Sequence, residues 1–200
     1  MKPHRLLAML IVFSGCLIAP IVGCSSSRPA ADAAYTGLTE QSRRPDEAAR
    51  LTHEALSQFD EDPERAERLL REALAADLYH GPAHNNLGVL FLQRGDLYAA
   101  ANEFEWARKL MPGHPDPRVN LALTLERAGR YDDAIDSYES ALEVYPGHVP
   151  STQGLLRLQI RYDRLNGETV RMLEEIAIGG QTAEWREWAK RELALLRDRD

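Results

Sequence analysis

Beyond residue 24 the chain has no cysteine. Its only two, Cys16 and Cys24, lie in or beside an N-terminal apolar stretch. The rest can therefore form no internal disulfide and no cysteine metal site. A basic surplus is also missing: 24 Lys and Arg face 31 Asp and Glu, a formal net charge of -7. The first 23 residues carry only Lys2 and Arg5, so the remainder is more acidic still. Broad binding to a phosphate backbone needs clustered cations, so no nucleic-acid partner is expected. Gly and Pro, 13 and 11 of 200 residues, are too sparse for a collagenous or low-complexity chain. The motifs G-x-x-x-x-G-K-[ST], G-x-S-x-G, H-E-x-x-H and G-x-G-x-x-G do not occur. With no catalytic constellation in view, no enzyme activity, metal or cofactor is expected.

What the N-terminus does contain is ordered. Lys2, His4 and Arg5 precede an apolar run from Leu6 to Val22, and small and polar residues follow. These are the parts of a secretory signal peptide. The run ends Ile21-Val22-Gly23-Cys24, which resembles a bacterial lipobox. That resemblance implies cleavage before Cys24 and its lipidation, which would place the body on a membrane facing the periplasm or exterior. Phe13-Ser14-Gly15-Cys16 is a poorer match, because an aromatic stands in the branched-aliphatic place. An uncleaved anchor and plain secretion are the alternatives. The run of about 17 residues falls short of the roughly 20 that a spanning helix needs. Ser25 follows the cysteine where Asp would favour inner-membrane retention in some Gram-negative lipoproteins, so the outer membrane is preferred. Residues 24–44, rich in Ser, Ala, Pro, Arg and Thr, are too polar to offset ordering entropy and read as a tether.

From about residue 45 the chain repeats. Asn86-Leu87-Gly88, Phe91, Gly95, Leu97, Ala100, Phe104, Ala107 and Pro112 recur at a fixed offset. Their counterparts, each 34 further along, are Asn120-Leu121-Ala122, Leu125, Gly129, Tyr131, Ala134, Tyr138, Ala141 and Pro146. Subtracting 34 finds Ala66, Leu70 and Ala73. The apolar residues keep helical spacing. Gly88, Ala100 and Ala107 are small where two helices would cross closely. Gly95 and Gly129 suit a turn needing positive φ, and Pro112 and Pro146 suit a helix end. Such a period signals a solenoid of helix pairs.

This pattern resembles the tetratricopeptide repeat (TPR). The resemblance implies an all-α, right-handed solenoid of antiparallel helix pairs over residues 45–200, with repeats at about 47–80, 81–114 and 115–148. Beyond 148 the register fades. Ser151 to Leu165 reads as a further helix ended by Asn166-Gly167, and Glu168 to Ile178 as a partner lacking the Ala-aromatic-Ala code. Thr182 reads as the cap of a last, capping helix reaching about Asp198. The first repeat departs from the pattern at His53-Glu54, while Asp62-Pro63-Glu64 reads as a helix start.

The resemblance implies protein or peptide binding in a groove lined by the first helix of each repeat. The groove positions include Asn85, Asn86, Val89, Leu92 and Gln93, then Val119, Asn120, Leu123, Glu126 and Arg127. Asn86, Val89, Gln93, Asn120, Leu123 and Arg127 are the candidate contacts. Of the carboxylate-clamp type only the Asn position matches, and Leu51 and Ala55 fill the corresponding places of the first repeat, so chaperone-tail capture is disfavoured. The implied role is a membrane-anchored envelope scaffold, similar to TPR lipoproteins that assist pilus or outer-membrane assembly. The competing reading is an anchor that self-associates through its end helices.

Other signals read as structural. His80, His114 and His148 are 34 apart and fall at repeat junctions. Stacked repeats would hold them about 8–10 Å apart, too far to share a metal needing donors at about 2 Å. Glu103 and Glu105, Asp132-Asp133 and Glu174-Glu175 read as solvated faces. Trp185 and Trp188, at i and i+3, share a helix face and read as packing residues.

Overall fold

The computed structural model describes residues 43–198. Cys16, Cys24 and most of the tether therefore lie outside the described residues, and so does the sequence expectation placed on them. Among the described residues there are nine helices and no strand. They run in order as α1 (Pro45–Leu56), α2 (Pro63–Ala76), α3 (Gly81–Arg94), α4 (Leu97–Leu110) and α5 (Asp116–Arg127), then α6 (Tyr131–Val144), α7 (Val149–Arg161), α8 (Gly167–Gly179) and α9 (Ala183–Arg197). None of them is long and apolar enough to cross a membrane.

Local chemistry explains the boundaries. The Asp62 carboxylate accepts the Arg65 N–H at 2.8 Å and caps α2, whose first residue is Pro63. Asp96 accepts the Ala99 N–H and caps α4. The α3 helix stops at Gly95, whose φ of 83° is the left-handed conformation that costs glycine little, and Gly129 does the same after α5 with φ 75°. The α4 and α6 helices end two residues before Pro112 and Pro146, since the residue preceding a proline is pushed out of helical geometry. His80 and His148 are the N-cap residues of α3 and α7, and His114 stands just before α5, so the three histidines occupy the repeat junctions.

Small residues set the packing. Ala66, Ala73, Ala100, Ala107, Ala134 and Ala141 are fully buried on the second helix of their pairs, where α1/α2, α3/α4 and α5/α6 close into antiparallel hairpins. Phe104 and Tyr138 stand between them, at 0% and 1% exposure. Fully burying a side chain of this kind contributes roughly 1.5–3 kcal/mol. Phe104 fits because Gly88 has no Cβ: one built there would sit 2.6 Å from the Phe104 ring. Tyr138 uses a different vacancy. A Cβ at Gly154 of α7 would lie 2.3 Å from its ring. Burial, followed by Glu126, pushes the Tyr138 phenol up to about 12.

The odd-numbered helices touch their like in the next pair, α1 on α3, α3 on α5 and α5 on α7, whereas α2, α4, α6 and α8 do not touch one another. One layer is continuous and the other is splayed, the arrangement of a curved solenoid whose inner face is built from first helices. His84, 4% exposed, fastens one junction: its Nδ1 meets the Glu103 carboxylate at 2.6 Å and its Nε2 meets the Leu78 carbonyl at 2.9 Å. Trp106 stacks on its ring.

The C-terminal end departs from the sequence expectation. The α7 helix ends at Arg161, and Asn166-Gly167 does not end it; Asn166 instead starts α8, through a capping box with Thr169. Residues 162–166 form the turn. Thr182 does cap α9, accepting the Trp185 N–H at 3.1 Å. Trp185 and Trp188 stack with centroids 4.4 Å apart, and Trp188 joins the small core of Leu156, Leu173 and Ala189.

Two outcomes follow from these contacts. Gly154→Val should lower the melting temperature by several degrees, since overpacking a filled site costs about 1–3 kcal/mol. The loss should shrink in a Tyr138→Leu background, as read by paired thermal melts. At the other end, Asp77 is 3% exposed and takes two bonds from Arg43, at 2.8 and 3.0 Å, beside the negative C-terminus of α2. The Arg43 bond holds its carboxyl below the usual range. Asp77 therefore stabilises the fold fully above the unfolded carboxylate pKa of about 3.9, and that contribution disappears as pH falls through the depressed folded value. Asp77→Asn should lose less melting temperature than wild type between about pH 6 and about pH 3.

Candidate functional site

Three columns of positions, each stepping one repeat at a time, run from α3 to α5 to α7. The first is Asn86, Asn120 and Gly154; the second Val89, Leu123 and Arg157; the third Gln93, Arg127 and Arg161. The six residues expected from the sequence lie on α3 and α5. Asn86, Val89, Asn120 and Leu123 are half-buried, and Gln93 and Arg127 are exposed. Leu92 and Val119, also placed in the groove by the sequence reading, are instead 8% exposed and belong to the core. The physical reason is helix geometry: each is one residue away from a groove position, about 100° around the axis, and turns inward.

The asparagines are not independent. The Asn120 amide donates to the Asn85 Oδ1 at 3.0 Å, and the Asn85 amide in turn donates to the Asn86 Oδ1 at 3.5 Å. A ladder of three amides thus joins α3 to α5. It leaves the Asn86 amide N–H groups and the Asn120 amide oxygen without a partner among the described residues. One donor and one acceptor are what a peptide backbone can satisfy. Gly154 ends the ladder, because the larger Tyr138 occupies the space a side chain would need.

Arg127 is also partly committed. Its guanidinium donates to the Leu92 carbonyl at 3.0 Å, tying α5 to the C-terminus of α3, where the helix dipole favours a cation. Next to it lies a cleft of about 360 Å³ lined by Leu123, Glu126, Arg127, Tyr131, Arg157, Arg161 and Tyr162. Arg157 donates to the Glu126 carboxylate at 2.7 Å, whereas Arg161 forms no ion pair among the described residues. Tyr131 and Tyr162 stack with centroids 3.9 Å apart, and Tyr131 raises the Tyr162 phenol above its ordinary value. The groove is apolar and amide-bearing near α3 and cationic near α7.

Arg157, Arg161 and Tyr162 were not singled out in the sequence. The signal was present: Arg157 and Arg161 stand one full repeat after Leu123 and Arg127. It was hidden because the second helix of that unit lacks the repeat code. At the start of α7 the His148 Nδ1 meets the hydroxyl of the fully buried Ser151 at 2.8 Å. No group of three or more His, Cys, Asp or Glu that could hold a metal occurs among the described residues.

Comparison with known proteins agrees with this geometry. A family model of the tetratricopeptide repeat matches residues 58–115 and 91–149. No curated protein matches the chain. Among solved structures, the chain is similar to the first TPR of Spaghetti (RPAP3) bound to an HSP90 peptide, at TM-score 0.58 and 15% identity, covering 61% of this chain and 98% of that one. It is similar to MamA at TM-score 0.57 and 19% identity, covering 77% and 82%. It is also similar to part of the O-GlcNAc transferase of Thermobaculum terrenum, at TM-score 0.59 and 22% identity, covering 66% of this chain but only 26% of that one. The described residues form an all-α solenoid, and residues 58–149 of it match the tetratricopeptide-repeat model.

Proposed function

We propose that this protein is a lipid-anchored scaffold of the bacterial cell envelope that binds an extended peptide of a partner protein along its inner face, and that it catalyses nothing. The observation that carries the binding reading is the amide ladder. It holds Asn86 and Asn120 in place and leaves one donor and one acceptor open beside the apolar surfaces of Val89 and Leu123. A peptide lying across α3 and α5 would bond its backbone to the amides and set side chains on Val89 and Leu123. Gln93 would meet it at the edge, and Arg127 and Arg161 would meet an acidic or carbonyl group near α7. The similar RPAP3 domain has a peptide bound, which supports this use of the fold.

The anchor reading rests on Ile21-Val22-Gly23-Cys24 at the end of the apolar run. A single acyl chain holds a protein only reversibly, so the several chains of a lipidated cysteine would serve better. The outer membrane is preferred on Ser25. A second reading, self-association through the end helices, is favoured by Ile178 and Leu195, 85% and 56% exposed.

Replacing Cys24 with Ser should leave an unprocessed precursor and abolish labelling by a fatty-acid probe. Persistent labelling would transfer the anchor to Cys16 or refute it, and membrane fractionation reports which membrane holds the protein. For the groove, Asn86→Ala with Asn120→Ala should weaken capture of a crosslinked partner roughly ten- to hundredfold, the cost of a lost buried hydrogen-bond partner. Helicity should persist, with a small drop in melting temperature from the lost tie to Asn85. Full affinity in that variant, together with loss of binding when Trp185 and Trp188 are changed, would move the contact surface to α9.

A further inference from the structure

The splayed outer layer leaves crevices above α5 and α7, at corresponding places in successive repeats. The first lies between α4 and α6 over α5, and the second between α6 and α8 over α7. Moving one repeat along the chain converts one into the other, so the first is an internal reference for the second.

In the first crevice Glu105 pairs with Arg108 at 2.7 Å, and Arg118 lines the same space. In the second, Glu139 stands where Glu105 was, but Leu142 replaces Arg108 and Thr152 replaces Arg118. The carboxylate has been kept and these two cations removed; the third arginine of the first crevice, Arg130, has its counterpart by spacing in Arg164, which pairs with Asp132 outside the second lining. Glu139 and the adjoining Glu143 form no ion pair among the described residues. Burial, then Asp136, then Glu143, raises the Glu139 carboxyl above its ordinary value, as expected of a carboxylate held among like charges without a cation.

The opposite wall departs from the repeat in the same direction. The α8 N-cap, Asn166, stands 36 residues after the α6 N-cap, Arg130, so α8 buries Thr169 and Leu173 and turns Glu168, Met172 and Glu175 to the crevice. Neither buried residue of α8 is an alanine or glycine, so α8 lacks the close helix crossing that Ala134 and Ala141 allow α6. The α8 helix therefore reaches α7 mainly through side chains, among them Leu156, Leu173 and the buried bond from Thr169 Oγ1 to Gln159 Oε1 at 2.9 Å. The result is a cleft of about 590 Å³, floored by Leu142, Leu155, Met172 and Ile176, with no lysine or arginine in its lining. Arg171 pairs with Glu168 and approaches Glu175 from outside that lining.

We propose that this crevice is a second docking site, on the outer face, for a basic amphipathic segment of a partner protein. An arginine or lysine of the partner takes the place beside Glu139 that Arg108 fills beside Glu105, and its aliphatic neighbours cover Leu142 and Met172. The repeat itself specifies the missing chemistry, a guanidinium or ammonium with apolar flanks. The site is separate from the inner groove and does not depend on it.

The test uses the full chain in detergent and a dye-labelled, amidated 14-residue peptide of Leu and Arg at helical spacing, with a Leu and Glu peptide as control, read by fluorescence anisotropy. The basic peptide should bind and the acidic one should not. Glu139→Gln with Glu143→Gln should weaken binding about tenfold, while Glu64→Gln with Glu72→Gln, an equal change in net charge far away on α2, should leave it unchanged. Leu142→Arg, which restores the cation of the first crevice, should also abolish binding while the melt is preserved. Asn86→Ala with Asn120→Ala should have no effect, so failure of the groove reading would not be mistaken for failure of this one. The proposal is overturned by absence of binding, by equal loss in the α2 pair, which marks general charge attraction, or by full binding in Leu142→Arg.

Discussion

The structure depends on how closely two helices can cross. Where alanine or glycine stands at the crossing, backbones approach and a single aromatic side chain fills the remaining space. Ala100, Phe104, Ala107 and Gly88 do this in one repeat, and Ala134, Tyr138, Ala141 and Ala122 do it in the next. The inner layer, the splay of the outer helices and the surface columns all follow from that spacing. Where α8 buries Thr169 and Leu173 instead of alanines, the hairpin does not close, and α8 takes α9 as its main partner. A solenoid needs its last unit to face solvent, so a change that would be a defect in the middle is suitable at the end.

Much of the fold could be read from the chain because its signals are local and repeated. Helix starts at Asp62 and Thr182, turn glycines at 95 and 129 and the alanine crossings each act within a few residues, and the regular period checks each against the next. Where the register fades, the local signals become ambiguous. Asn-Gly is equally at home after one helix and before another, and only Thr169, reaching back to Asn166, decides for the second.

The candidate site was less legible, for a different reason. Repeat positions say which face a residue occupies but not what its neighbours have already claimed. Asn85 looked like one more groove residue, yet it is the middle of the amide ladder. Arg127 looked free for a ligand, yet it bonds the Leu92 carbonyl. Leu92 and Val119 differ from groove positions by a single residue, and that rotation buries them. The relation between Tyr138 and Gly154 spans two helices of different repeats, and no local rule reveals it.

The spacing of the inner helices acts as a ruler. Packed helices stand about 8–10 Å apart, close to three residues of extended chain at about 3.3 Å each. A strand laid across α3, α5 and α7 is thus sampled at about every third residue, while its own side chains alternate every second. The two periods fall into step only after six residues, which is two steps, from α3 to α7, one step beyond the Asn120 end of the amide ladder. A chain read in this way is measured in length as well as in composition, and a single inserted residue would put it out of phase with the columns.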